Sequence, residues 1–179
     1  MPAEGGQVPA SHNEGRITAS PGESYPLVLH VMQCVGGGAP VQLANHLRAT
    51  PEASHHVLWP ATNDALLDGL RGIVTYAMPA GKAAQFRATH RLARTLNPDL
   101  VVAHSSYAGM YTRLIPVGAP VLYEPHGWVF RYPEWSSLQR WTFWVVERIL
   151  ASRTSCVVTA TEADAATARR LGFDCVTIV

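Results

Sequence analysis

Short, almost wholly apolar runs recur along this chain. Each is followed by a turn-forming break and then, in most cases, by residues at helical spacing. This alternation constrains the fold more than any other feature. A run apolar on both faces suits a strand buried in a parallel sheet, and strands alternating with helices imply a sheet wound with helices on both sides. Leu27, Val28, Leu29, His30, Val31 and Met32 form the first run. Gly36-Gly37-Gly38 breaks it, Pro40 suits the first turn of a helix, and Val41, Leu43, Ala44 and Leu47 continue at helical spacing. A second strand covers residues 56–59 and stops at Pro60. Asn63 or Asp64 then caps a short helix through Leu66, Leu67 and Leu70.

The same unit repeats to the end. Strands are expected over residues 73–78, 100–103, 121–123, 156–159 and 175–179. Helices are expected over 82–96, from His104-Ser105-Ser106 onward, over 134–151 and over 162–171. The expectation is an α/β domain with a doubly wound parallel sheet of about seven strands, a size that one hydrophobic core can serve.

Composition removes several function classes. Charged residues are 15% of the chain and the formal net charge is +1, so no nucleic-acid footprint is present. Every apolar run is far shorter than the roughly 18 residues that a membrane-spanning helix needs. Residues 1–25 are rich in Gly, Pro, Ser and Glu, with no apolar core for a signal peptide, and are expected to be a disordered tail. Cys34, Cys156 and Cys175 form no C-x-x-C pair. Cys156 and Cys175 are expected as unpaired small hydrophobes buried in strands, and Cys34 lies beside the glycine run. A reducing cytoplasm fits three unpaired thiols.

In an open parallel sheet, ligands bind beyond the carboxyl ends of the strands. Those ends deliver Gly36-Gly37-Gly38, then His104-Ser105-Ser106, then His126-Gly127, and finally Thr159, Thr161 and Glu162. The glycines serve either a tight turn or a close approach to a phosphate at a helix N-terminus. A third glycine for G-x-G-x-x-G would fall at Val41, and no G-K-[ST] follows, so neither a dinucleotide nor an ATP site is supported. His126 stands where a buried strand gives way to a glycine-containing loop, within Pro125-His126-Gly127-Trp128. Its imidazole can bond a sugar hydroxyl or a phosphate oxygen. His30 is expected as a satisfied core residue, His104 as structural rather than functional, and His55-His56 as a loop edge. Ser105 and Ser106 suit either a helix N-cap or a hydroxyl contact to a ligand, and Glu162 suits a helix N-terminus. No H-E-x-x-H or paired-ligand spacing occurs, so no metal site is expected.

Aromatic residues crowd one segment: Trp128, Phe130, Tyr132, Trp135, Trp141, Phe143 and Trp144. Leu138, Trp141, Val145 and Ile149 make one helical stripe. That stripe either packs on the sheet or, with Arg131 and Arg140 nearby, meets anionic headgroups.

Three stretches together resemble the N-terminal, acceptor-side domain of glycosyltransferase family 4, the retaining GT-B enzymes. They are Leu29-His30-Val31 leading to Gly36-Gly37-Gly38; the run from Pro98-Asp99 to Ser105-Ser106 with Ala108-Gly109; and Val121-Leu122-Tyr123-Glu124-Pro125-His126-Gly127-Trp128. A fourth runs from Glu147-Arg148-Ile149-Leu150 to Thr161-Glu162, and the whole covers residues 27 to 179. The resemblance implies a Rossmann-like sheet forming one half of a two-domain enzyme, with the domain spanning 26–179. It implies that Gly37 and Gly38 approach a donor diphosphate, that His126 is catalytic beside the transferred sugar, and that Ser105, Ser106 and Glu162 line the acceptor side.

By the same resemblance there is no metal and no cofactor beyond a nucleotide-sugar co-substrate. The acceptor is a sugar or a lipid-linked sugar in surface polysaccharide or glycolipid synthesis. From the thiols the expected location is cytoplasmic, and the aromatic stripe with its arginines is the candidate for peripheral contact with the inner face of the membrane. The donor-binding C-terminal domain of the family is expected to be absent, so a partner chain would have to supply it, and the chain alone is expected to transfer no sugar. The rival expectation is a non-enzymatic sugar- or phosphate-binding module that docks on a partner transferase.

Overall fold

The strands are β1, Leu27–Met32; β2, Ser54–Trp59; β3, Ile73–Ala77; β4, Leu100–His104; β5, Val121–Glu124; β6, Cys156–Thr159; and β7, Val176–Ile178. They pair in parallel in the order β3-β2-β1-β4-β5-β6-β7. The helices are α1, Ala39–Ala49; α2, Lys82–Leu96; α3, Ser106–Leu114; α4, Ser137–Leu150; and α5, Glu162–Leu171. This is a computed structural model that describes residues 25–33, 36–60, 67, 70 and 72–179. Cys34, the expected tail apart from Tyr25, and the helix cap at Asn63 or Asp64 lie outside the described residues.

The chain winds outward from β1 to β3, then returns and winds the other way from β4 to β7. The order therefore reverses between β1 and β4, and this switch point is where ligands bind in such sheets. Alternate strand residues feed two cores. Leu29, Val31, Leu58, Val101 and Ala103 meet Ala88 and Ala93 of α2, Ala108 of α3 and Ala168 of α5. Met32, Val57 and Trp59 meet Leu43, Ala44 and Leu47 of α1. The period of 2 sends residues of opposite parity to opposite faces, so α1 covers one face of the sheet and α2, α3 and α5 the other.

Three expectations needed correction. The long helix begins at Ser137, not residue 134, because Ser136 caps it. The Ser136 hydroxyl accepts from the backbone N–H of Gln139, and the Gln139 side chain bonds back to the N–H of Ser136. That reciprocal box starts the helix at the next residue. His55-His56 belongs to β2 rather than to a loop edge.

The cysteines are not unpaired buried hydrophobes: Cys156 and Cys175 form a disulfide with Cα atoms 4.6 Å apart. Cys156 starts β6 and Cys175 precedes β7, so the α5 crossover returns the chain to the neighbouring strand and sets the two thiols side by side. The Val157 N–H bonds the Cys175 carbonyl at 3.0 Å. The compartment argument from unpaired thiols falls with this. Among the described residues, no helix is long and apolar enough to cross a membrane.

The aromatic segment divides. Trp128 is fully buried, stacked with Phe130, and donates from Nε1 to the Asp164 carbonyl at 3.2 Å. On α4, by contrast, Leu138 is 71% exposed, Trp141 62% and Ile149 64%, so the stripe faces outward rather than onto the sheet. What α4 buries is Glu147 and Leu150. Glu147 turns inward to the Arg113 guanidinium and the Tyr123 hydroxyl. At Gly109 a Cβ would overlap the Tyr123 ring, which explains a glycine inside α3.

Candidate functional site

Strand period and register assemble the site. His30 in β1 has the parity of Met32, His55 in β2 that of Val57, and His104 in β4 that of Val102, so all three imidazoles lie on the α1 face of the sheet. They form a line across β2, β1 and β4. His55 Nδ1 is 3.0 Å from His30 Nε2, and His30 Nδ1 is 3.2 Å from His104 Nε2. At the far end His55 Nε2 donates to the Thr50 carbonyl at 2.9 Å, where α1 ends.

At the near end His104 and Glu124 close β4 and β5 and are register partners. His104 Nδ1 lies 3.1 Å from Glu124 Oε2 and 3.3 Å from His126 Nε2. His126 Nε2 lies 3.6 Å from the same carboxylate oxygen. His46 of α1 approaches the other oxygen, Nδ1 to Oε1 at 3.3 Å. His126 reaches this place because the loop after β5 turns through two consecutive left-handed residues, His126 at φ 51° and Gly127 at φ 97°. A Cβ on Gly127 would meet the Tyr132 hydroxyl.

Burial sets the electrostatics. His30 is 3% exposed, and desolvation, aided by His104, pushes its pKa well down. Burial and then His104 lower His126 to about 4, while Glu124 pulls the other way. Burial alone would raise the Glu124 carboxyl, but the neighbouring His104, His46 and His126 hold it below its ordinary value. His126 is therefore a neutral imidazole near pH 7, able to bond a ligand as donor or acceptor.

A cavity of about 330 Å³ opens beside this cluster. It is lined by Gly38, Ala39 and Gln42 at the N-terminus of α1, by Glu124 to Gly127 after β5, and by Thr159 and Asp164 beyond β6. It therefore sits at the carboxyl ends of the strands, beside the reversal in strand order.

The fold has counterparts among known proteins. The family model of the glycosyl transferase 4-like domain matches residues 36–179. This chain belongs to the glycosyl transferase 4-like domain family. No curated protein matches it by sequence. The crystal structure of Anabaena Alr3699/HepE in complex with UDP-glucose is similar at TM-score 0.64 and 17% identity, over 86% of this chain and 43% of that one. Sucrose-phosphate synthase from Thermosynechococcus elongatus is similar at TM-score 0.63 and 12% identity, over 86% and 47%. The S. aureus MnaA–UDP co-structure is similar at TM-score 0.61 and 11% identity, over 86% and 43%. The chain thus spans less than half the length of these structures, and its fold is that of one half of the GT-B architecture.

Within this glycosyl transferase 4-like domain, the expected site residues separate. His126 and Gly38 line the cavity, and Gly37, at φ 71°, forms the turn just before Gly38. Ser106 is buried at the start of α3 beside Tyr123 and does not line the cavity. Ser105 takes the N-cap position of α3 but makes no capping bond, and its buried hydroxyl has no hydrogen-bond partner. Glu162 is an exposed residue in the first turn of α5, paired with Arg169 at 2.7 Å and away from the cavity. Asp164 stands in the lining instead. Sequence reasoning passed over Glu124, His46, Gln42 and Asp164, and weighed His104 and His55 singly. The signal for the histidines was there: their parity on consecutive apolar strands puts them on one face.

Proposed function

We propose that this domain supplies the acceptor-side wall of a retaining, nucleotide-sugar-dependent glycosyltransferase in surface polysaccharide or glycolipid synthesis. The observation that carries the reading is the cavity at the strand-order reversal, with a glycine turn and a helix N-terminus on one side and His126 on the other. Backbone N–H groups at the start of α1, near Gly37 and Gly38, suit the diphosphate of a sugar nucleotide. His126 suits a hydroxyl of the transferred sugar, as neutral donor or acceptor. Ser105 has a hydroxyl without a hydrogen-bond partner, but it is buried and outside the cavity lining. Ser106 and Glu162 serve only if the acceptor reaches beyond the cavity. UDP-glucose and UDP in two structural relatives support a nucleotide-sugar as the co-substrate. No cofactor is needed for this chemistry.

The transfer needs a second, donor-binding wall, from a further domain or a partner chain, and this domain alone transfers nothing. The exposed Leu138, Trp141 and Ile149 with Arg140 and Arg148 suit the anionic inner face of a membrane, which places a lipid-linked acceptor within reach.

The test mixes the chain with separately produced donor-binding domains and labelled UDP-sugars. Transfer is expected only in the mixture, with a loss of about 100-fold or more in His126→Ala. Transfer that persists in that variant removes His126 from the role. A chain that binds UDP-sugar yet supports no transfer with any donor domain favours the non-enzymatic module.

A further inference from the structure

We propose that a second cavity, between α2 and the end of α3, is a binding pocket for a phosphomonoester carried on a sugar or on glycerol. It lies on the other face of the sheet from α1 and apart from the cleft at the strand ends, and it does not depend on the transferase reading.

Two helices build the pocket. Its volume is about 430 Å³, and its lining includes Phe86, Arg87, His90, Arg91 and Arg94 of α2 and Ile115 just after α3. That is the size of a small-molecule site rather than of a single ion. The wall is fixed in place. A carbonyl can only accept, so His90 donates from Nε2 to the Tyr111 carbonyl at 2.8 Å. His90 is 7% exposed, and the Phe86 ring packs against both His90 and Tyr111, with centroids 4.5 and 6.2 Å away.

The charge is one-sided. Arg87, Arg91 and Arg94 are exposed and stand at i, i+4 and i+7, on one face of α2. Among the described residues, no acidic side chain lines the cavity. Asp99 is the one acidic residue from 69 to 123, and its carboxylate accepts the Leu27 N–H at 2.8 Å. The chain as a whole is nearly neutral at +1, so positive charge is gathered on this face rather than spread. Helix stability does not call for it. Like charges at this spacing repel, and only Arg94 lies in the last turn, where the helix dipole favours a cation. The carbonyls at the end of α3 would oppose an anion, but they are covered: His90 takes that of Tyr111, and Arg153 donates to that of Leu114 at 2.6 Å.

The chemistry of the lining selects the ligand. Guanidinium groups pair with phosphate oxygens through two parallel hydrogen bonds. A phosphomonoester offers three such oxygens and a charge of about −1.5 to −2 at pH 7, where a carboxylate offers two oxygens and one charge. Phe86 and Ile115 give the pocket an apolar side that suits the carbon face of a sugar or glycerol.

The closing experiment uses the full chain and separates two sources of the group. Calorimetric titration with glucose 6-phosphate and glycerol 1-phosphate tests a free ligand. Sedimentation with phosphatidylcholine vesicles containing phosphatidic acid, or phosphatidylglycerol at matched total charge, tests a lipid headgroup. The exposed stripe of α4 can hold the chain on any anionic vesicle, so the readout there is the preference for phosphatidic acid. Saturable 1:1 binding of a soluble phosphate, or that preference, is expected. Arg87→Gln and Arg94→Gln, checked by circular dichroism, should each weaken it by about 10-fold. Lys82→Gln, which removes a charge from the same helix outside the cavity, should leave it unchanged. The proposal is overturned if neither the soluble phosphates bind nor phosphatidic acid is preferred. Binding that survives both arginine changes, which places the phosphate elsewhere, also overturns it. So does a loss in Lys82→Gln equal to that in Arg87→Gln, which means diffuse charge rather than a pocket.

Discussion

Glu147 is the residue whose loss should cost this domain most for a single change outside the cavity. It is 2% exposed in α4, and its two oxygens serve two partners. Arg113 Nη2 donates to Oε2 at 2.8 Å and the Tyr123 hydroxyl to Oε1 at 2.7 Å. The remaining Arg113 donors go to the Gly109 carbonyl at 2.8 Å and the Thr154 hydroxyl at 3.1 Å, and the guanidinium lies 3.9 Å over the Tyr123 ring. Glu147→Ala removes none of these other bonds. It leaves a guanidinium that is 1% exposed without its counter-charge and a buried phenol without its acceptor. Breaking one side of a buried pair costs about 3–5 kcal/mol, against a typical total stability of about 5–15 kcal/mol. For a chain of this size the melting temperature should fall by roughly 10 °C. Urea unfolding with the disulfide intact measures it. The triple change Arg113→Met, Glu147→Leu and Tyr123→Phe removes every stranded group and should recover most of the loss. If Glu147→Ala costs less than about 1 kcal/mol, the network is open to water and the argument fails.

Three further outcomes are expected. Ser105 sits at φ 91° and ψ 160°, a region other residues leave to glycine, with a buried unpartnered hydroxyl; Ser105→Gly should raise stability by about 1–3 kcal/mol, and a lower urea midpoint would contradict the strain. Reducing Cys156–Cys175, which are 19 residues apart, should cost about 3 kcal/mol by freeing the unfolded chain; an unchanged midpoint in reductant would show that the bridge constrains nothing. The fold should weaken as pH falls from 7 toward 5. Burial lowers His55 (beside the Thr50 carbonyl and Glu52), His56 (beside the Tyr76 hydroxyl and His55) and His90 (beside the Tyr111 carbonyl, Arg94 and Phe86). The unfolded state then binds more protons in this window, so stability is present above about pH 6.5 and lost below it. A flat midpoint between pH 7 and 5 would refute that.

The sheet was legible because its strands are apolar on both faces and its breaks are glycine, proline and asparagine. Each strand was found within two residues of its observed limits. The position of the cleft was legible too, since it follows from strand direction alone. The partners were not. Cys156 and Cys175 are joined by a crossover whose return position the spacing does not reveal. Glu162 and Asp164 both lie in the first turn of α5, and only the structure shows that Asp164 lines the cavity while Glu162 pairs with Arg169 on the exposed side. The outward stripe of α4 misleads for a physical reason. Its inward face is held by Glu147, a charge that reads as surface until Arg113, 34 residues earlier, is known to lie against it.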